Sequence, residues 1–208
     1  MKRINKYIFI FLSILLFVLG PIYYGLFSIG TPSTKKEAEF RVMKNQPFLH
    51  EKGKVKMLIF FDFSSLECYE FEKDVVSKLK NKFGNKLEVN FIGYPLSPDF
   101  YLPVEAYEIA KALGKGDEMR EKLFEAYLNG KDIKNMSIIL NISKSIGLDE
   151  SYTSMLSNTR FERTNYNLAF GQGYNINSLP YVVLDGQIVV TELTEANLER
   201  VIEYLLQL

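Results

Sequence analysis

Phe60-Phe-Asp-Phe-Ser-Ser-Leu-Glu-Cys-Tyr-Glu-Phe-Glu72 joins two different periodicities within thirteen residues. Upstream, Val55 and residues 57–61 form a short apolar run of strand length. Downstream, Leu66, Tyr69, Phe71, Val75, Val76 and Leu79 recur at helical spacing. A strand therefore runs straight into a helix over 65–83. Ser64 and Glu67 supply the S-x-x-E pattern of a capping box, which sets the expected helix start. Cys68, the only cysteine, falls one turn inside that helix.

Beyond this junction the chain alternates between the same two periods. Residues 87–94 alternate and return as a second strand, so that 55–94 reads as a βαβ unit. Upstream, 39–49 holds a short first strand and 50–54 a turn. Three prolines make 95–103 a loop, and helical stretches follow at 104–113, 117–128, 133–146, 151–156 and 161–174. Two apolar strands then flank Asp185-Gly186, a strong hairpin signal. Thr194 caps a last helix with Leu198, Val201, Ile202 and Leu205 on one face.

The first thirty residues have a different character. Lys2, Arg3 and Lys6 precede a run of 24 uncharged residues, 7–30, and a span needs about 20. Residues 1–30 are read as an uncleaved membrane anchor, with Ser28-Ile29-Gly30 as the cleavage site if the segment is instead a signal peptide. The basic end stays cytoplasmic, which puts the remainder outside. Residues 31–39 read as a linker and 40–208 as the folded domain.

Composition narrows the function. Lys plus Arg and Asp plus Glu number 25 each, which gives no overall field for nucleic acid. One cysteine excludes a disulfide framework and a cysteine-only zinc site, and one histidine, His50, removes most histidine-based metal and triad arrangements. No cofactor motif is present, and no metal or cofactor is expected.

The residues around Cys68 resemble the DsbA branch of the thioredoxin superfamily, whose motif runs aromatic-Asp/Ser-Phe-x-Cys-Pro-His-Cys-Tyr-x-Phe-Glu. Phe61-Asp62-Phe63 and Cys68-Tyr69-Glu70-Phe71-Glu72 match it, and the centre here is Ser65-Leu66-Glu67-Cys68. The resemblance continues through Ile146-Gly147-Leu148-Asp149, through Ala169-Phe170-Gly171-Gln172-Gly173-Tyr174, and through Ser178-Leu179-Pro180-Tyr181 with Asp185-Gly186. It implies an α/β thioredoxin fold with a helical insertion at about 101–174, and a cis peptide before Pro180. Ser65 then stands where the attacking cysteine belongs, and Cys68 takes the resolving position.

Dithiol exchange needs two thiols, and a serine hydroxyl is too basic to replace one. Cys68 is either a lone working thiol or a small buried apolar side chain; the second reading is preferred, since free cysteine is among the most buried residue types. Glu67 and Glu70 are expected to raise its pKa. The resemblance also implies a strand edge before Pro180 that pairs with an extended polypeptide, with Leu66, Glu67, Leu179, Pro180 and Tyr181 as the binding residues. The expected function is a membrane-anchored, outward-facing polypeptide-binding or assembly module without dithiol activity. The alternative is a thiol-disulfide oxidoreductase working through Cys68 alone.

Overall fold

Strand β1 (Phe40–Val42) is short; β2 (Val55–Phe61) divides the core. Along β2, Val55, Met57, Ile59 and Phe61 enter the larger apolar cluster, while Leu58 and Phe60 enter a smaller one on the opposite face. Both faces are covered, which is why residues 57–61 read as an unbroken apolar run. β3 (Leu87–Gly93) pairs with β2 in parallel, from Val55 opposite Leu87 to Phe61 opposite Gly93. β4 (Tyr181–Leu184) and β5 (Ile188–Val190) form the hairpin, and the sheet order is β1-β5-β4-β2-β3. The computed structural model describes residues 37–208, of which Ala38–Leu208 make one compact unit.

Helix α1 spans 66–83: α-helical over Leu66–Glu70, π-helical over Phe71–Val76, and α-helical again over Ser77–Phe83. Its Val76 and Leu79 share the larger cluster with Leu198, Val201, Ile202 and Leu205 of the C-terminal helix Glu195–Leu205. Between β3 and β4 come α2 (Tyr101–Ala112), α3 (Gly116–Leu128), α4 (Met136–Ser145), α5 (Glu150–Ser157) and α6 (Glu162–Gln172); the C-terminal helix is α7. This is the expected α/β thioredoxin architecture with its helical insertion.

Buried charges tie the insertion to the rest. Arg120 of α3 donates from Nε and Nη2 to the Glu72 carboxylate on α1 at 2.9 and 2.8 Å, with its guanidinium 3.8 Å from the Phe91 ring centroid. Glu105 of α2 is fully buried and accepts from Thr164 N at 2.8 Å and Thr164 Oγ1 at 2.9 Å, which fixes the start of α6. The outer edge of β3 is closed by side chains as well. Tyr107 Oη and Lys111 Nζ both donate to Phe91 O; Glu108 accepts from Gly93 N, and Asn167 donates to Gly93 O.

The short first strand expected within 39–49 is Phe40–Val42, and 43–50 then leaves the sheet as a strap held by Met43 N on Gln187 O and Leu49 N on Asp185 O. The expected loop over 95–103 ends early: a 3₁₀ turn at Pro98–Phe100 leads into α2, and Pro103 lies in the first turn of that helix. There its missing N–H costs little. The expected anchor at 1–30 lies outside the described residues. No helix among the described residues is long and apolar enough to cross a membrane.

Candidate functional site

Three connections meet at one end of the sheet. β2 and β3 are parallel, so their exits at Phe61 and Gly93 lie side by side. β4 is antiparallel to β2 with Tyr181 opposite Phe60, so the approach through Pro180 arrives at the same place. Asp62 organises the junction. It is fully buried; Oδ1 accepts from Ser64 N at 3.1 Å and Oδ2 from Leu96 N at 2.9 Å, which joins the loop after β2 to the loop after β3.

That turn displaces the helix start. Ser64 is spent on Asp62, and the N-cap is Ser65, whose Oγ accepts from Cys68 N at 3.1 Å. The expected Ser64–Glu67 capping box is therefore corrected: Ser65 caps the helix, and its hydroxyl donates to Glu67 Oε2 at 3.0 Å. Glu67 is exposed, and its carboxyl is held below the usual range by the backbone N–H at the helix start and by the Ser65 hydroxyl. Leu66 projects outward, 48 % exposed.

Cys68 points the other way, into the larger cluster with Phe61, Phe63 and Phe71, and is 3 % exposed. Burial pushes its thiol up to about 11; the Ser65 hydroxyl and a backbone hydrogen bond from Asp62 oppose this without cancelling it. The direction agrees with expectation, and of the two expected acids Glu67 takes part. Desolvation is the chief cause, the Glu67 charge is the weakest contributor, and Glu70 is not among the causes. At neutral pH the group is a protonated, enclosed thiol.

The Leu179–Pro180 peptide is cis. Leu179 is partly buried and packs against both apolar clusters, so it stands at the rim between the two faces. Among the described residues, nothing bonds to the backbone of 176–180. Leu66, Leu96 (60 % exposed) and Leu179 offer apolar side chains at this end. Tyr181 is not with them. It is 7 % exposed, packs against Phe60 in the smaller cluster, and donates from Oη to Tyr174 O at 2.8 Å. Tyr181 opens β4, and the alternation of that strand places it with Val183 in the smaller cluster, while Val182 and Leu184 face the larger one.

Sequence reasoning missed the central role of Asp62, although it sits in the quoted motif. It also missed a cleft between α2 and α6 lined by Glu108, Lys111, Arg163 and Tyr166, which contains none of the expected site residues. No group of three or more His, Cys, Asp or Glu side chains that could hold a metal ion occurs among the described residues.

A sequence model described as thioredoxin matches residues 50–204, most of the chain. The chain belongs to the thioredoxin family. Within it this is a DsbA-like domain: it is 30 % identical over 116 residues to the thiol:disulfide interchange protein DsbA of Burkholderia cepacia, covering 55 % of this chain and 54 % of that one. The Escherichia coli K12 DsbA is likewise 30 % identical over 103 residues, 46 % of this chain and 48 % of that one. The chain thus spans about half the length of the curated relatives it matches. Among solved structures, the DsbA oxidoreductase of Xylella fastidiosa superposes with a TM-score of 0.67 at 16 % identity, over 81 % of this chain and 94 % of that chain. A Proteus DsbA variant with a non-covalently bound peptide superposes with a TM-score of 0.62 at 18 % identity, over 83 % and 96 %. At these identities the superpositions establish the DsbA-like fold.

Proposed function

We propose that this chain is a membrane-anchored, extracytoplasmic member of the DsbA-like branch that binds extended polypeptide, as a recognition or assembly module, and does not carry out dithiol exchange. One observation carries the reading: Ser65 occupies the outward position at the helix start with its hydroxyl engaged in the cap, while the only thiol lies shut in behind it. An oxidoreductase of this type needs an exposed, ionised attacker and a second thiol to resolve the mixed disulfide. Neither requirement is met by Ser65 and Cys68. The binding surface needs no thiol: the unpaired backbone of 176–180 beside Leu66, Leu96 and Leu179 suits addition of an extended strand, with Glu67 at its margin. The peptide held non-covalently by the Proteus DsbA variant supports a polypeptide partner. The basic N-terminus and uncharged 7–30 run support the anchored, outward-facing placement.

The names of the curated relatives favour a second reading, thiol-disulfide exchange through Cys68 alone. The Cys68 thiolate would attack a client disulfide, form a mixed disulfide and expel a client thiolate. A thiol on a partner protein would have to resolve it, since the chain holds no second cysteine.

Insulin reduction separates the two. The wild-type protein should stay at background, and Ser65→Cys, which places a thiol at the helix start three residues before Cys68, should raise turnover at least about tenfold. Turnover by the wild type that disappears in Cys68→Ser would establish the second reading. A folded but silent Ser65→Cys variant would show that the surface no longer supports exchange. Placement is checked by adding protease to intact spheroplasts, where digestion of the domain is expected and a protected full-length product would reverse the orientation.

A further inference from the structure

We infer that the segment 41–54, at the end of the sheet opposite Ser65 and Pro180, lies against an anionic lipid bilayer. Val42, Phe48 and Leu49 are 46 %, 47 % and 51 % exposed, which the core does not require. They are held there by a locked scaffold. Leu49 N donates to Asp185 O at 2.8 Å, and the Phe48 ring stacks on His50, whose Nδ1 lies 2.8 Å from Asp185 Oδ2. Asp185 itself is fully buried and accepts from Lys56 N at 2.8 Å. The apolar side chains are therefore displayed by a turn already ordered in the fold, and little entropy remains to be lost on contact.

The charges around them select the partner. Residues 41–56 carry Arg41, Lys44, Lys52, Lys54 and Lys56 against the single acid Glu51. Lys54 is paired with Glu88 at 2.6 Å and Lys56 with Glu51 at 3.2 Å. Arg41, Lys44 and Lys52 are exposed and have no acidic partner among the described residues. Arg41 turns over the smaller cluster, where it donates to Met43 Sδ and Tyr181 Oη, which leaves Lys44 and Lys52 as the free basic groups of this surface. Exposed Phe and Leu side chains on a segment that also carries exposed, unpaired basic groups have the chemistry of an interfacial contact with acidic headgroups. The length of chain agrees: the uncharged run ends at Gly30, twelve residues before Val42, so a bilayer holding that run is within reach of this surface. This step rests on the anchored placement proposed above. It adds that the domain lies down on the membrane with its binding end turned away.

The chain has no tryptophan, so a single introduced one reports alone. Phe48→Trp and, at the far end, Leu96→Trp would each be reconstituted as the full chain into vesicles of phosphatidylcholine with or without phosphatidylglycerol, the acyl chains brominated. Co-flotation with both compositions scores the anchor independently of the domain contact. With phosphatidylglycerol present, Phe48→Trp should shift to the blue and lose about half its emission to the bromines, Leu96→Trp should do neither, and Lys44→Glu with Lys52→Glu should abolish the effect. An unquenched, unshifted Phe48→Trp in a protein that still floats would overturn the contact and leave the anchor standing. Equal quenching in both compositions would overturn the role of the basic groups. A shift that follows protein concentration rather than lipid would assign the face to a second copy of the chain.

Discussion

The two ends of the β-sheet are separated by the length of β2, roughly 20 Å for seven residues, and they treat their polar groups in opposite ways. At the Asp185 end the hydrogen bonds reinforce one another. Asp185 serves both Lys56 N and His50; Gln187 N closes the turn on Leu184 O, and Tyr174 Oη donates to Gly186 O. At the Ser65 end, the helix cap is made and the groups beyond it are left over. The backbone of 176–180 has no partner among the described residues, and Leu66 and Leu96 stand in solvent. The sequence was enough to locate both ends. It did not distinguish the locked end from the receptive one, because that difference lies in the pairing of groups rather than in their identity.

The sharpest way to break the contrast is at Asp185. Asp185→Ala removes the acceptor of a buried N–H and the partner of His50, and is expected to lower unfolding free energy by about 3 kcal/mol in chemical denaturation. A loss below about 1 kcal/mol would mean that this end is not locked by the carboxylate.

Cys68 gives the next largest effect. Its pKa is raised from 9.0 to about 11 by burial, so the folded state favours the protonated thiol. The contribution is complete below the unfolded value, is lost as pH rises from about 9 through about 11, and amounts in the limit to about 2–3 kcal/mol. Subtracting the pH profile of Cys68→Ala from that of the wild type isolates it from the lysines and tyrosines that titrate in the same range. A flat difference between pH 8 and 11 would show that the thiol is solvated. Smallest is Ser65→Ala, which removes the N-cap and should cost about 1 kcal/mol. Ser64→Ala should be nearly silent, because Ser64 contributes to the turn through its backbone N–H. A larger loss at Ser64 than at Ser65 would return the cap to Ser64.

The order of elements was legible because it rests on periodicity: the 55–61 run, the helical spacing from Leu66, and the Asp-Gly hairpin, where Asp185 and Gly186 both take positive φ of 46° and 74°. The cap was misread because Ser64 alone stands three residues before a glutamate, whereas Asp62 takes up the Ser64 N–H in a turn with no sequence period and leaves the cap to Ser65. Tyr181 was misassigned because adjacency to Pro180 was taken as adjacency in space. The His50–Asp185 pair was invisible since 135 residues separate its members, and the same holds for Glu105 and Thr164, 59 apart. No local rule reaches across such intervals.

The closed outer edge of β3 has a consequence for the domain in crowded surroundings. A bare edge strand is a template for uncontrolled growth, one chain adding to the next. Here Tyr107, Lys111, Glu108 and Asn167 occupy hydrogen-bonding positions at Phe91 and Gly93 that an incoming strand would use. The helical insertion thereby blocks polymerisation along that side, and the sheet is kept from growing into a fibre at this edge.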